Sequence, residues 1–156
     1  MKILHTADWH LGKRLDRFSR IEEQRAVMEE IVQIANDQKV DMVIVAGDLF
    51  DNFTPNTDAV ELFYKTLKQL SCEGKRPIVA ISGNHDSPKL IDAPDPLARE
   101  CGIFLIGYPN AIVSPIKAET FEITTSEEGF LEFRFEKYPY PLRILHTPYA
   151  NEPRLK

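Results

Sequence analysis

Asp8 and His10, then Asp48 and Asp51, then Asn84, His85 and Asp86 are three short clusters of side chains that ligate metals and move protons. Carboxylate, carboxamide and imidazole donors together suit Mn²⁺, Fe²⁺ or Zn²⁺ better than Ca²⁺ or a thiolate site. Two such ions roughly 3.5–4 Å apart clamp a phosphoryl group for in-line displacement. The pattern therefore points to a dinuclear centre acting at phosphorus.

Each cluster directly follows an apolar run, at residues 2–7, 42–46 and 77–81. Short runs rich in Val and Ile read as buried strands of a parallel sheet. In open α/β sheets, ligands gather beyond the carboxyl ends of the strands. Three such strands bring the three clusters to one edge. Gly47 and Gly83 let the backbone turn sharply and come close to the metals or the phosphate.

Asp8-x-His10, Gly47-Asp48-x-x-Asp51 and Gly83-Asn84-His85-Asp86 resemble the signature of the calcineurin-like metallophosphoesterases. The opening Ile3-Leu4-His5-Thr6-Ala7-Asp8-Trp9-His10-Leu11-Gly12-Lys13 is narrower. With Gly47-Asp48-Leu49-Phe50-Asp51 and Gly83-Asn84-His85-Asp86-Ser87-Pro88 it resembles the SbcD-type nuclease subunits. The resemblance runs to about Ile106 and returns faintly at Leu145-His146-Thr147-Pro148-Tyr149.

The resemblance implies an α/β sandwich with a mixed β-core and flanking helices. It implies two divalent metals, Mn²⁺ before Mg²⁺ or Fe²⁺, held by Asp8, His10, Asp48 and Asn84, with Asp48 as the bridge. His85 would then protonate the leaving group or stabilise the pentacoordinate phosphate, work suited to a group titrating near neutral pH. Asp86 would orient His85 or its loop, and Asp51 would support the ligands from behind. The implied activity is DNA phosphodiester hydrolysis, as exonuclease and hairpin endonuclease, in repair and recombination. The implied partners are duplex ends, hairpins, an SMC-like ATPase and a second copy of the same protein, paired through helices of the first half.

Other readings exist for each residue. Asp8 and His10 could cap a helix or pair within a loop, and Gly83-Asn84 is turn chemistry. The three clusters together favour metal ligation. Lys13, Arg14, Arg17 and Arg20 read equally as a solvated loop and helix start or as contacts to a phosphate backbone. His5, inside the first strand, is expected to be a buried, hydrogen-bonded histidine. His146 ends an apolar strand and is expected to be structural. Trp9 is expected to pack the floor of the site.

Helices are expected from about Arg20 to Gln38, with Ile21, Val27, Met28, Ile31 and Ile34 inward, and from Asp58-x-x-Glu61, a capping-box variant, to near Gly74. A short helix should open at Asp95-Pro96 and stop before Gly102. A fourth strand covers 103–106. Beyond Ala111 the pattern alternates, giving strands at 111–117, 119–124, 130–136 and 142–146, with a turn at 126–129. Two packed sheets with helices outside should result.

The chain has 156 residues, 43% hydrophobic and 28% charged, with a formal charge of −5. That is the size and balance of one globular domain. The acidic charge weighs mildly against DNA, although bound metals would offset it where the acids cluster. No apolar run approaches the roughly 20 residues of a membrane span. The chain enters its first strand without an apolar leader, so no signal peptide is expected. Cys72 and Cys101 lack metal-type spacing and are expected as reduced thiols. A bacterial, nucleoid-associated cytoplasmic location follows from these expectations and the resemblance.

Calcineurin-like enzymes complete their sites with a further His and a Gly-His-x-His motif downstream. Neither is present here, so the chain is expected to be the N-terminal portion of a longer nuclease domain. The remaining strands, a DNA-contacting cap and an ATPase-binding segment would lie beyond it, and this portion alone is expected to be inactive. A phosphatase or cyclic-nucleotide phosphodiesterase, and a scaffold that has lost catalysis, are the competing readings. Leu11-Gly12-Lys13 argues against the former and the intact ligand set against the latter.

Overall fold

The computed structural model describes residues 1–155. Four strands, β1 (Ile3–Thr6), β4 (Met42–Ala46), β5 (Ile78–Ile81) and β6 (Ile103–Ile106), form a parallel sheet in the order β1-β4-β5-β6. The intervening helices α1 (Ile21–Asp37) and α2 (Thr57–Leu70), and the short α3 (Pro88–Asp92) and α4 (Asp95–Ala98), supply the crossovers that parallel strands require. A small ribbon, β2 (Arg14–Leu15) with β3 (Phe18–Ser19), precedes α1. An antiparallel sheet follows, from β7 (Phe121–Glu127), β8 (Phe130–Phe135) and β9 (Leu142–Leu145), and the chain closes with α5 (Glu152–Leu155).

The two faces of the parallel sheet alternate residue by residue, and each has its own core. Val43, Val45, Ala80 and Leu105 pack against Met28, Phe63, Leu67 and Ile91 of the helices. Met42, Val79, Phe104 and Ile106 pack against Phe121, Ile123, Leu131, Phe133 and Phe135 of the second sheet. Phe104 meets Phe121 and Phe133 edge-on, at ring separations of 6.1 and 5.7 Å. Helices, parallel sheet and antiparallel sheet thus form the layers of an α/β sandwich. Asp41 ties the sheets at the end away from the motif loops. Its carboxylate accepts from the Lys2 amide at 2.6 Å, from the Tyr138 hydroxyl at 2.7 Å and from Lys137.

Several expectations are corrected. The inward stripe of α1 runs through Met28 and Ala35, while Val27 and Ile34 stand 50% and 45% exposed. Asn56 caps α2, accepting from the Ala59 amide at 2.9 Å, and Asp58 lies within the first turn where it complements the helix dipole. Residues 111–117 form no strand beyond a single bridge at Lys117, since Pro115 removes a ladder donor. β7 is displaced to Phe121–Glu127, with a bulge between Ile123 and Thr125. His5 is exposed, not buried. It shares the outward face of edge strand β1 with Ile3, where the second sheet does not reach.

Candidate metal centre

The registers Thr6↔Val45 and Ala46↔Ile81 align the carboxyl ends of β1, β4 and β5. The loops that follow keep running together after the sheet ends. The amides of Asp8 and His10 donate to the carbonyls of Gly47 and Asp48, each at 3.0 Å, and that of Leu11 to Leu49 at 3.1 Å. Asp8, His10 and Asp48 all adopt the left-handed region, with φ of 55°, 44° and 47°. Such conformations cost roughly 1–3 kcal/mol for a residue with a side chain and concentrate where geometry serves a site.

Glycines permit the closest approach. A Cβ on Gly83 would lie 2.0 Å from Asp48 Oδ1 and 2.2 Å from the Asp48 amide nitrogen, so only hydrogen fits. Gly47, at φ +89°, faces Gly83 Cα across the same gap. The glycines thus seat one loop against the other, and Asp48 Oδ1 accepts from the His85 amide at 3.1 Å.

Ligand atoms of Asp8, His10 and Asp48 fall within 4.8 Å of one another, and those of His10, Asp51 and His85 form a second such group. Asn84 lines a cleft of about 230 Å³ together with Asp8, Asp48, Thr147 and Tyr149. The His10 and His85 rings meet edge to face at 4.8 Å.

The residues fit divalent metals. His10 Nδ1 is buried without a hydrogen-bond partner. It stands 3.6 Å from Asp51 Oδ1, and His10 Nε2 stands 3.7 Å from Asp48 Oδ2. Those separations are too long for hydrogen bonds. They suit atoms sharing an ion, since bonds of about 2.0–2.2 Å place two ligands roughly 3–4 Å apart.

The supporting residues divide differently from expectation. Asp86 does not orient His85. Its fully buried carboxylate accepts from the amides of Leu49, Phe50 and Gly83, at 3.0, 2.9 and 2.7 Å, and so locks the second loop to the third. His85 is oriented by the Asp51 carbonyl, 2.7 Å from its Nδ1. A carbonyl only accepts, so Nδ1 carries the proton and Nε2 is left for the cleft. The Asp51 carboxylate takes Lys13 Nζ at 3.1 Å.

Trp9 is buried beneath the loop, donating from Nε1 to Thr6 Oγ1 at 3.0 Å and packing edge-on to Phe63. Of the basic residues, Lys13 and Arg20 are engaged, Arg20 with Glu23 at 2.7 Å. Arg14 donates to the Arg17 carbonyl, and Arg17 lies over the Phe18 ring at 5.4 Å; both are exposed on the β2–β3 ribbon. His146 is buried with neither ring nitrogen partnered, and burial lowers its pKa.

Two supporting residues carry no motif. Gln24 of α1 donates from Nε2 to the His10 carbonyl at 2.7 Å and accepts from the Gly12 amide at 3.0 Å, clamping the first loop. Its signal in the sequence is a polar side chain within the stripe Ile21, Gln24, Met28, Ile31, Ala35. Arg154, at the far end of the chain, reaches the third loop, and no pattern marks it.

Curated relatives named as the SbcD component of nuclease SbcCD share this sequence. The protein of Bacillus subtilis (strain 168) is 51% identical over 119 residues, 76% of this chain and 30% of that protein. That of Rhodobacter capsulatus is 40% identical over 108 residues, 69% of this chain and 27% of that protein. That of Staphylococcus epidermidis is 43% identical over 86 residues, 55% and 23%. The chain thus spans less than a third of the length of these relatives. The family model described as calcineurin-like phosphoesterase matches residues 1–145, which contain all three clusters, and the chain belongs to that family.

Proposed function

We propose that the chain is the N-terminal part of the nuclease component of an SbcCD-type complex, a metal-dependent DNA phosphodiesterase. The observation that carries this reading is the convergence of Asp8, His10 and Asp48 within 4.8 Å, with Asn84 on the same cleft and His85 beside His10. Asp8, His10, Asp48 and Asn84 would hold two divalent ions, Mn²⁺ in preference to Mg²⁺ or Fe²⁺, with Asp48 between them. When bound, such ions clamp a phosphodiester for in-line displacement.

His85 holds its proton on Nδ1 against the Asp51 carbonyl, so Nε2 faces the leaving oxygen and delivers a proton when the ring is charged. Asp86 keeps the two loops in register. Trp9 closes the floor. Arg14 and Arg17, exposed on their ribbon, approach the DNA backbone, whereas Lys13 and Arg20 stay with Asp51 and Glu23. Among the described residues only His10 and His85 of the four histidines join the ligand groups, so the chain alone binds metal weakly and turns over little. The whole protein acts on duplex ends and hairpins in repair and recombination, inside the bacterial cell, with an SMC-like ATPase. It pairs with a second copy, and the exposed Val27 and Ile34 of α1 support such a contact. No helix is long and apolar enough to cross a membrane.

The test has two arms. Titrating the chain with Mn²⁺, read by electron paramagnetic resonance, should show binding that Asp48→Asn weakens at least tenfold while the circular dichroism spectrum persists. In the whole protein, Asp48→Asn should abolish Mn²⁺-dependent cleavage of hairpin DNA. His85→Gln should keep metal and lose about 10²–10⁴-fold in rate. Cyclic nucleotides or p-nitrophenyl phosphate preferred over hairpin DNA would replace the nuclease reading with a phosphatase or cyclic phosphodiesterase. Silence on every substrate with metal bound would make the protein a scaffold.

A further inference from the structure

The segment after β9 returns across the rim of the cleft. Thr147 and Tyr149 line it beside Asp8, Asp48 and Asn84. The Tyr149 amide donates to the Ser82 carbonyl at 2.9 Å. Five residues later Arg154, only 8% exposed, sends its guanidinium beneath the Gly83–Asp86 turn. Nη1 donates to the Gly83 carbonyl at 2.9 Å and Nη2 to the Asp86 carbonyl at 2.7 Å. Longer contacts reach Ser82 Oγ at 3.5 Å and the Tyr149 carbonyl at 3.4 Å, and the cation lies 5.0 Å over the Tyr149 ring.

This arrangement answers where the turn's backbone hydrogen bonds go. Beyond Ile81 the sheet no longer pairs the chain, and a buried carbonyl without a donor costs roughly 1–3 kcal/mol. One rigid fork serves the carbonyls on both sides of Asn84 and His85, fixing the distance between the ends of the dipeptide. A lysine, a point donor on a flexible stem, cannot hold two carbonyls in one plane. The opposite side of the turn is already fixed by the Asp86 carboxylate and by Asp48 Oδ1. The guanidinium therefore holds the free side.

We infer that Arg154 is a positioning residue: its guanidinium sets the conformation of the Gly83–Asp86 turn and thereby aims the Asn84 carboxamide and the His85 ring. The inference rests on the metal-site reading proposed above. It assigns a role to the chain's last segment that no motif suggested.

The experiment compares the parent chain with Arg154→Met, Arg154→Lys and Arg154→Ala, the last with and without millimolar methylguanidinium. Amide exchange in metal-free protein is measured first. Gly83 and His85 should exchange at least tenfold faster in Arg154→Met, with β4 and β8 unchanged. Mn²⁺ affinity, by paramagnetic resonance, should fall about 10–100-fold, the usual range for a group that orients ligands. Arg154→Lys should lie between, and methylguanidinium should restore Arg154→Ala. Turn exchange at the parent rate with Mn²⁺ affinity within twofold overturns the inference. So does protection lost evenly across the chain without methylguanidinium rescue, because Arg154 would then stabilise the fold at large. Should Arg154→Met fail to fold, the lysine variant and the rescue decide. If neither the parent chain nor Asp48→Asn binds Mn²⁺, the metal reading fails, and the exchange data alone decide the role of Arg154.

Discussion

Gly83→Ala should disable the centre without touching a ligand. The added Cβ lies 2.2 Å from the Asp48 amide nitrogen, whereas ordinary contact begins at 3.4 Å. Backbone must therefore move by more than 1 Å, because the obstruction is main chain and no rotamer relieves it. The same backbone carries the Gly47 and Asp48 carbonyls that hold Asp8 and His10 at 3.0 Å. A shift of that size takes both bonds beyond useful length, at roughly 1 kcal/mol each. Overpacking adds about 1–3 kcal/mol. A loss of roughly 3–5 kcal/mol lowers Tm by about 6–20 °C for a chain of this length.

Thermal unfolding by circular dichroism and Mn²⁺ titration together read the outcome. Affinity should fall about 10–100-fold, since the ligands stay present but misaligned. Tm within about 2 °C of the parent, with unchanged Mn²⁺ affinity, would refute the reasoning. It would mean that the two loops have room between them and that the ligand geometry does not depend on this seam.

The remaining predictions concern the two cores. Phe104→Ala, at a fully buried ring against Phe121 and Phe133, should cost about 3–5 kcal/mol by thermal unfolding. Phe53→Ala, at a ring 58% exposed, should cost less than about 0.5 kcal/mol. Equal losses would place the sheet-to-sheet core elsewhere. Burial pushes the His146 imidazole below its ordinary value, so the folded chain disfavours its protonation. The stability this contributes is fully present above about pH 6.5 and is lost as pH falls through the lower folded value. His146→Met should flatten that part of the stability curve and raise Tm at pH 7, because two partnerless buried nitrogens disappear. A steeper acid slope in the variant would contradict this.

The ligand-bearing loops were legible because each ligand follows a strand. The apolar runs 42–46 and 77–81 terminate in glycine and then a ligand, so the element and the site share one stretch of sequence. The second sheet was legible in outline only. Its alternation identified Phe121, Ile123, Leu131 and Phe133, but the strand limits slipped where Pro115 and the bulge near Thr124 interrupt the ladder. His5 was misplaced for a different reason. Periodicity marks Leu4 and Thr6 as one face and Ile3 and His5 as the other, but it does not say that the second sheet stops short of β1.

The residues that hold the loops from outside were not legible, and the reason is physical. A ligand is constrained in chemical type, so Asp, His and Asn announce it. A clamp on a carbonyl needs only a donor of the right reach, and many residues at many positions supply one. Gln24 betrays itself because α1 surrounds it with apolar neighbours. Arg154 has no such frame, since α5 is four residues long. The turn it holds is 68 residues away from it in sequence at Asp86 and 71 at Gly83. The first loop is clamped from α1 and the third from the final segment, while Asp86 joins the second to the third. Local strain at Asp8, His10 and Asp48 persists because these three separate ties over-determine it. Loosening any one should relax the left-handed residues nearest to it before it unfolds the sheet, which ties the order of loss to the chain's wiring rather than to its core.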